Sequence, residues 1–241
     1  MLAWRFVLMA CCLCLAPATA GAAEPPPPRS DAPSPVPTSL ATALDAAGAR
    51  QCLWVVVADP ASISAQLIRL ERGAEGWQPV LPPFPAVIGR RGLAPLGEKR
   101  EGDGRTPTGI FPLGTAFGYA SAPPAGIRWP YRAMTADDIW VDDPGAPDYI
   151  TLTTRSRTSA ASFEEMRRSD DLYKLGLVVA YNTDPVVKGH GSAIFIHLWG
   201  AERAGTAGCI ALAEADLLRL LAWLDPTART QVAILPSADR R

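Results

Sequence analysis

Hydrophobic positions run in short bursts through most of this chain and settle into a helical period only near its end. Cys52-Leu53-Trp54-Val55-Val56-Val57 opens with a continuous apolar run over 53–58, the length of a buried strand. Residues 64–72 alternate, with Ala65, Leu67 and Ile68 set among polar neighbours, and Glu71-Arg72-Gly73-Ala74-Glu75-Gly76 reads as a turn. Further short strands are predicted over 77–81 and 84–88, on either side of Pro82-Pro83, and over 110–113, 175–181, 193–198 and 231–235. An Ala-rich stretch at 40–49 suggests a short helix, and 163–172 a short amphipathic one. The clearest helix is 213–224, where Leu217, Leu220, Leu221 and Leu224 share one face, Leu218 widens it and Asp225-Pro226 ends it. Many short strands punctuated by Gly and Pro predict a mostly β, β-rich α+β fold of sandwich or barrel type with a few short helices.

Two stretches fall outside this pattern. Residues 97–109, Gly97-Glu98-Lys99-Arg100-Glu101-Gly102-Asp103-Gly104-Arg105-Thr106-Pro107-Thr108-Gly109, are dense in turn formers and lack apolar periodicity, as long functional loops are. Residues 120–147 are irregular, and their scattered aromatics, Trp129, Tyr131 and Trp140, are expected to pin the loop to the core.

The N-terminus changes the picture. Arg5 followed by an apolar core over 6–16 and the small-x-small Ala18-Thr19-Ala20 reads as a cleavable secretory signal over 1–23, hence as export. The alternative is an uncleaved anchor, although the apolar run falls short of the roughly 20 residues that span a bilayer. Residues 24–38, with Pro25-Pro26-Pro27-Pro28 and prolines at 33, 35 and 37, form an extended linker. Residues 39–241 are left, enough for one well-buried domain. With 23 Lys+Arg against 24 Asp+Glu there is no basic excess to suggest nucleic acid.

Of five cysteines, Cys11, Cys12 and Cys14 lie in the signal, so the exported chain keeps Cys52 and Cys209. A Cys52–Cys209 disulfide is one reading. The other takes Cys52 as a small core hydrophobe and Cys209 as a reactive thiol. One of the two histidines, His197, closes the apolar run Ala193-Ile194-Phe195-Ile196-His197, twelve positions before Cys209 in Gly205-Thr206-Ala207-Gly208-Cys209-Ile210. Each alone reads most simply as a core residue. Together they form a candidate base and nucleophile, and Gly208 permits the close backbone approach that such turns need. A helix starting soon after Cys209 would lower the thiol pKa and offer N–H donors to an oxyanion. A metal site from His190, His197, Cys209 and Asp184 lacks the tight ligand pairs usual for zinc. There is no G-x-S-x-G element for a serine triad, and the Gly-rich loop lacks the flanking strand and helix of a phosphate loop.

His197 followed by Thr206-Ala207-Gly208-Cys209 resembles the His…[Ser/Thr]-x-Gly-Cys signature of L,D-transpeptidases with a YkuD-type catalytic domain. Gly102-Asp103-Gly104-Arg105-Thr106-Pro107-Thr108-Gly109-Ile110-Phe111 resembles that family's D-x-x-T-P-x-G-x-F segment, and Gly191-Ser192-Ala193-Ile194-Phe195-Ile196-His197 its histidine strand. The similarity spans about residues 50 to 236. It implies a mostly β catalytic domain of a periplasmic enzyme working on peptidoglycan stem peptides in cell-wall organisation and cell shape, without a cofactor and open to carbapenem-type inhibitors. Cys209 would be the nucleophile and His197 the base, with Gly208 and the Cys209 N–H holding the oxyanion. The products would be 3–3 or 1–3 cross-links; hydrolysis of stem peptides and a non-catalytic wall-binding module are the alternatives. Arg105, Trp199, Arg203 and Thr206 are candidate substrate contacts. The chain departs from the family where many members carry His-Gly-Cys and an arginine two residues on. Ala207 precedes Gly208 here, and Ala211 takes the arginine position.

Overall fold

The computed structural model describes residues 35–200 and 203–237. The signal-like stretch 1–23 and most of the Pro-rich linker lie outside them. Among the described residues are twelve strands and two α-helices. In chain order they are α1 (Thr38–Ala46), β1 (Gln51–Val57), β2 (Ser64–Gly73), β3 (Gly76–Val87), β4 (Gly109–Gly118), β5 (Tyr131–Ala133), β6 (Asp138–Val141), β7 (Leu152–Thr154), β8 (Phe163–Glu165), β9 (Leu175–Val179), β10 (Phe195–Leu198), β11 (Ile210–Leu212), α2 (Glu214–Trp223) and β12 (Gln231–Pro236).

The large sheet runs β12-β1-β2-β3-β11-β10-β9-β4-β5, and β12 also pairs with β4. That second pairing, Gln231↔Pro112 through Ile234↔Gly109, closes eight strands into a barrel from which β5 branches. Closure removes the free strand edges that an open sheet would present. A second sheet, β7-β6-β8, lies apart from the barrel ladder.

Strand alternation sorts the core. Leu53, Val55 and Val57 of β1 join Leu67, Phe84, Ile196, Ile210 and Ile234 in one cluster. The helical stripe Leu217, Leu220, Leu221 and Leu224 packs into the same cluster. The other face of β1, Cys52 and Trp54, meets Leu40 and Leu44 of α1. Asp45 holds α1 down by accepting from Arg72 Nε at 2.8 Å and Trp77 Nε1 at 2.9 Å.

The mostly β expectation and both outer helices agree with this architecture; the predicted helix at 163–172 does not. Its first residues are β8, which pairs antiparallel with β6 through Ile139↔Glu165, Trp140↔Glu164 and Val141↔Phe163. Buried Met166 then donates its N–H to Asp138 O. The three-residue spacing of Phe163 and Met166 comes from a strand running into a loop. The irregular stretch 120–147 holds two short strands, with Trp129 and Trp140 buried as pins.

Candidate functional site

β10 and β11 run parallel, with Ile196↔Ile210, His197↔Ala211 and Leu198↔Leu212 in register. Cys209 stands one step before β11, level with Phe195, whose N–H donates to Sγ at 3.4 Å. Side chains alternate along strands, so His197 and Cys209 project from the same face, two rungs apart. Both line one cavity of about 710 Å³. Both are also nearly closed off from solvent, each 5% exposed.

The turn that carries Cys209 is fixed by two threonines. Thr206 Oγ1 accepts from Gly208 N–H at 3.0 Å and donates to Cys209 O at 2.7 Å. Thr106, fully buried in the Thr-Pro loop, accepts from Gly89 N–H and donates to Gly208 O, both at 2.8 Å. Arg90 N–H to Thr206 O and Thr206 N–H to Ile88 O add a bridge from the end of β3. The loop and the cysteine turn are therefore one piece of structure. Gly208 sits at φ +154°, and a Cβ there would lie 2.9 Å from Arg105 O, so glycine is required where the two segments touch.

His197 Nδ1 lies 2.7 Å from Leu198 O. A carbonyl can only accept, so Nδ1 carries the proton and Nε2 keeps the lone pair of a base. The thiol proton is directed to Ala193 O at 3.2 Å. Ala193 adopts a left-handed φ of +51°, so the strand predicted over 193–198 begins only at Phe195, and the Ala193 carbonyl accepts from the thiol. Tyr173 packs its ring edge-to-face on His197, centroids 5.1 Å apart, and gives its hydroxyl proton to Glu164.

Burial dominates the electrostatics. It holds the imidazole down to about 4, with the Leu198 carbonyl opposing and Arg168 assisting. It pushes the thiol up to about 12, helped by the Glu164 carboxylate and opposed by the Phe195 N–H, Tyr173 and Lys99. The resting pair is a neutral thiol beside a neutral imidazole. The expected helix N-terminus does not reach the sulfur, because β11 intervenes and α2 begins only at Glu214, about 10 Å of strand further on. Cys52 and Cys209 are both free, in separate core clusters. The structure therefore lacks the disulfide alternative.

The remaining candidates are placed as follows. Trp199 lines the cavity, and Thr206 lines it while its hydroxyl holds the turn. Arg105 Nη1 donates to Leu93 O at 2.9 Å, and Arg203 lies over the Trp199 ring at 4.4 Å; neither lines the cavity. The cations that do are Lys99 and Arg168. Gly208 N–H is committed to Thr206 within the turn. His190 lies in a turn, its carbonyl accepting from Tyr181 Oη. Among the described residues no three His, Cys, Asp or Glu gather as a metal site. Sequence reasoning missed Glu164, Tyr173 and Lys99. The first two were hidden by the helical reading of 163–172 and by long-range packing, and the third was one charge in a loop.

Fold and site together define a closed β-barrel protein that holds a thiol and an imidazole base at one cavity. A model of the YkuD L,D-transpeptidase catalytic domain matches residues 55–234, and the chain belongs to that family. Among solved structures, it is similar to the helical cell shape determining protein Pgp2 from Campylobacter jejuni, at 16% identity and TM-score 0.39 over 79% of this chain and 49% of that one. Bd1075 of Bdellovibrio bacteriovorus matches at 16% identity and TM-score 0.39, over 78% and 52%. The chain spans about half the length of these solved chains. A comparison with curated proteins gave no match.

Proposed function

We propose that the chain is an exported cysteine acyltransferase that acts on peptidoglycan stem peptides as an L,D-transpeptidase. The observation that carries the reading is the placement of Cys209 and His197 on one face of adjacent parallel strands, inside a shared cavity. Family membership supplies the substrate class. The signal-like N-terminus and Pro-rich linker fit an enzyme held out toward the wall.

The steps are those the family resemblance implies, fitted to the placement of His197 and Cys209. His197 Nε2 takes the Sγ proton as sulfur bonds to the carbonyl carbon of the third, diamino-acid residue of a donor stem. Backbone N–H donors of the Gly208-Cys209 turn receive the oxyanion once substrate displaces the resting contacts. The carbonyl–nitrogen bond to the terminal D-alanine breaks, and its amine leaves with the proton held by His197. An acceptor amine then attacks the thioester: a carbon–nitrogen bond forms, the carbon–sulfur bond breaks, and the amine's proton returns through His197 to sulfur. No redox partner or cofactor enters this balance. The neutral resting pair means that proton transfer accompanies attack instead of preceding it.

Purified protein incubated with tetrapeptide stems and analysed by mass distinguishes the outcomes. Transpeptidation gives cross-linked dimers, and hydrolysis gives tripeptide monomers. Unchanged stems with wild-type protein would overturn the enzyme reading in favour of a wall-binding module. The Cys209→Ala protein is expected to form neither product.

A further inference from the structure

Lysines are rarely buried unless paired, and Lys99 is only 4% exposed. Its ammonium donates to Arg100 O at 2.7 Å and to Asp103 Oδ1 at 2.8 Å, both within its own loop. An ammonium has three N–H groups, so one remains, on a side chain that lines the cavity of Cys209 and His197. Asp103 does not line that cavity. Its carboxylate belongs to the loop, where it also accepts from Arg100 N–H at 2.8 Å and Arg105 N–H at 2.9 Å. The ion pair therefore presents its positive end to the cavity and keeps its negative end outside it.

Two glycines place the lysine stem. A Cβ on Gly191 would lie 3.0 Å from Lys99 Cγ and 3.2 Å from Nζ, and one on Gly208 would lie 3.7 Å from Cε. Gly191 stands two residues before Ala193, whose carbonyl accepts from the thiol, and Gly208 directly precedes the nucleophile. The ammonium is thus held where the two segments that frame the sulfur come together. Positive charge is what this site otherwise lacks. The carboxylates of Glu101, Asp142 and Glu164 line the same cavity and disfavour a thiolate. The Gly208 N–H is committed to Thr206, and the other cation of the cavity, Arg168, is held through Nε by Asp170 Oδ1 at 2.9 Å. The Lys99 charge acts against the burial that pushes the thiol up to about 12.

We propose that Lys99 is an electrostatic positioning residue for Cys209: its fixed ammonium stabilises the negative charge that develops on Sγ, and then on the tetrahedral oxygen, as the donor carbonyl is attacked. The proposal rests on the acyl-transfer reading and adds a residue to it. Lys99 keeps its proton throughout, and the proton from sulfur goes to His197. In a closed cavity a fixed charge acts more strongly than it does in water. Asp103, bound to the far side of the ammonium, sets how much of that charge the sulfur feels.

The test compares two substitutions that break the same ion pair. Alkylation of Cys209 by iodoacetamide is followed by peptide-mapped mass from pH 7 to 10, with no substrate present. Lys99→Met keeps the stem against the glycines and removes the charge. Its rate at each pH is expected to fall about tenfold, the effect of about one unit in the thiol pKa. Asp103→Asn leaves the ammonium unneutralised and is expected to raise the rate. If Lys99 only tied down its loop, both variants would loosen the same contact and admit the reagent faster. Changes in the same direction, or unchanged rates in both, would therefore overturn the proposal. If Lys99→Met does not fold, Lys99→Gln, which still has an N–H to give Asp103, takes its place in the comparison. Because no turnover is needed, the result stands apart from whether the wild-type protein acylates. Opposite shifts in alkylation with tetrapeptide stems left unchanged would sink the acyl-transfer reading and leave the action of Lys99 on the thiol standing. On active protein the rate of donor adduct formation on Cys209 is expected to follow the same order, and an unchanged rate in Lys99→Met would contradict the role.

Discussion

At the scale of the residue, the site is defined by what burial does to two side chains. A thiol pushed up to about 12 and an imidazole held down to about 4 cannot rest as an ion pair at neutral pH. Alkylation of Cys209 by iodoacetamide is therefore expected to accelerate by roughly tenfold per pH unit from pH 7 to 10, tracking the thiolate fraction. A plateau already reached near pH 6 would mean a preformed thiolate–imidazolium pair, against this account. The pairing of His197 and Cys209 was legible in the sequence because both carry unmistakable chemistry near a Gly-rich turn. Tyr173 and Glu164 were not. Their hydroxyl–carboxylate contact and the ring on His197 arise from β8 and the approach to β9, segments with no motif of their own.

At the scale of the element, the cysteine turn depends on the Thr-Pro loop. Thr106 satisfies Gly89 N–H and Gly208 O with one buried hydroxyl. Thr106→Val keeps the shape and removes the hydroxyl, leaving buried groups unpaired at a cost of about 1–3 kcal/mol. Urea unfolding should show that loss, and acyl-enzyme formation should slow as the turn loosens. Thr106→Ser should recover much of both. Wild-type behaviour in the valine variant would show that the loop does not hold the turn. The sequence pattern located β1, β2 and α2 well, since continuous apolar runs, alternation and a leucine stripe each report a single packing partner. It failed at 163–172, where Phe163 and Met166 are spaced like a helix but belong to β8, in the small sheet, and to the loop after it, where Met166 alone is buried. It also placed a helix directly behind Cys209, where three residues pair as β11.

At the scale of the whole molecule, barrel closure joins β1 and β12, far apart in sequence, to the strands that carry the candidate site. β12 lies between β1 and β4, and β4 leads through β9 to β10 and the histidine. Nothing in local sequence announces that 231–234 pairs with 109–112, because pairing partners are chosen by the assembled core. One global consequence concerns acid. His197 has a folded-state pKa depressed from 6.5 to about 4, so the unfolded chain binds the extra proton between those values. The stability this group contributes is present above pH 6.5 and is lost as pH falls toward 4, amounting to roughly 3 kcal/mol. Comparing ΔG of unfolding from pH 7.5 to 4.5 in wild type and His197→Gln should show a shallower decline in the variant. Parallel declines would place the acid sensitivity elsewhere.

The central claim is that Cys209 forms the covalent intermediate. The most direct measurement is intact and peptide-mapped mass of the protein quenched in acid during incubation with a tetrapeptide donor. A gain equal to the donor less D-alanine, on the peptide containing Cys209 and absent from Cys209→Ala, is the predicted result. Turnover that persists in Cys209→Ala, or an acyl group mapped to another residue, would contradict it.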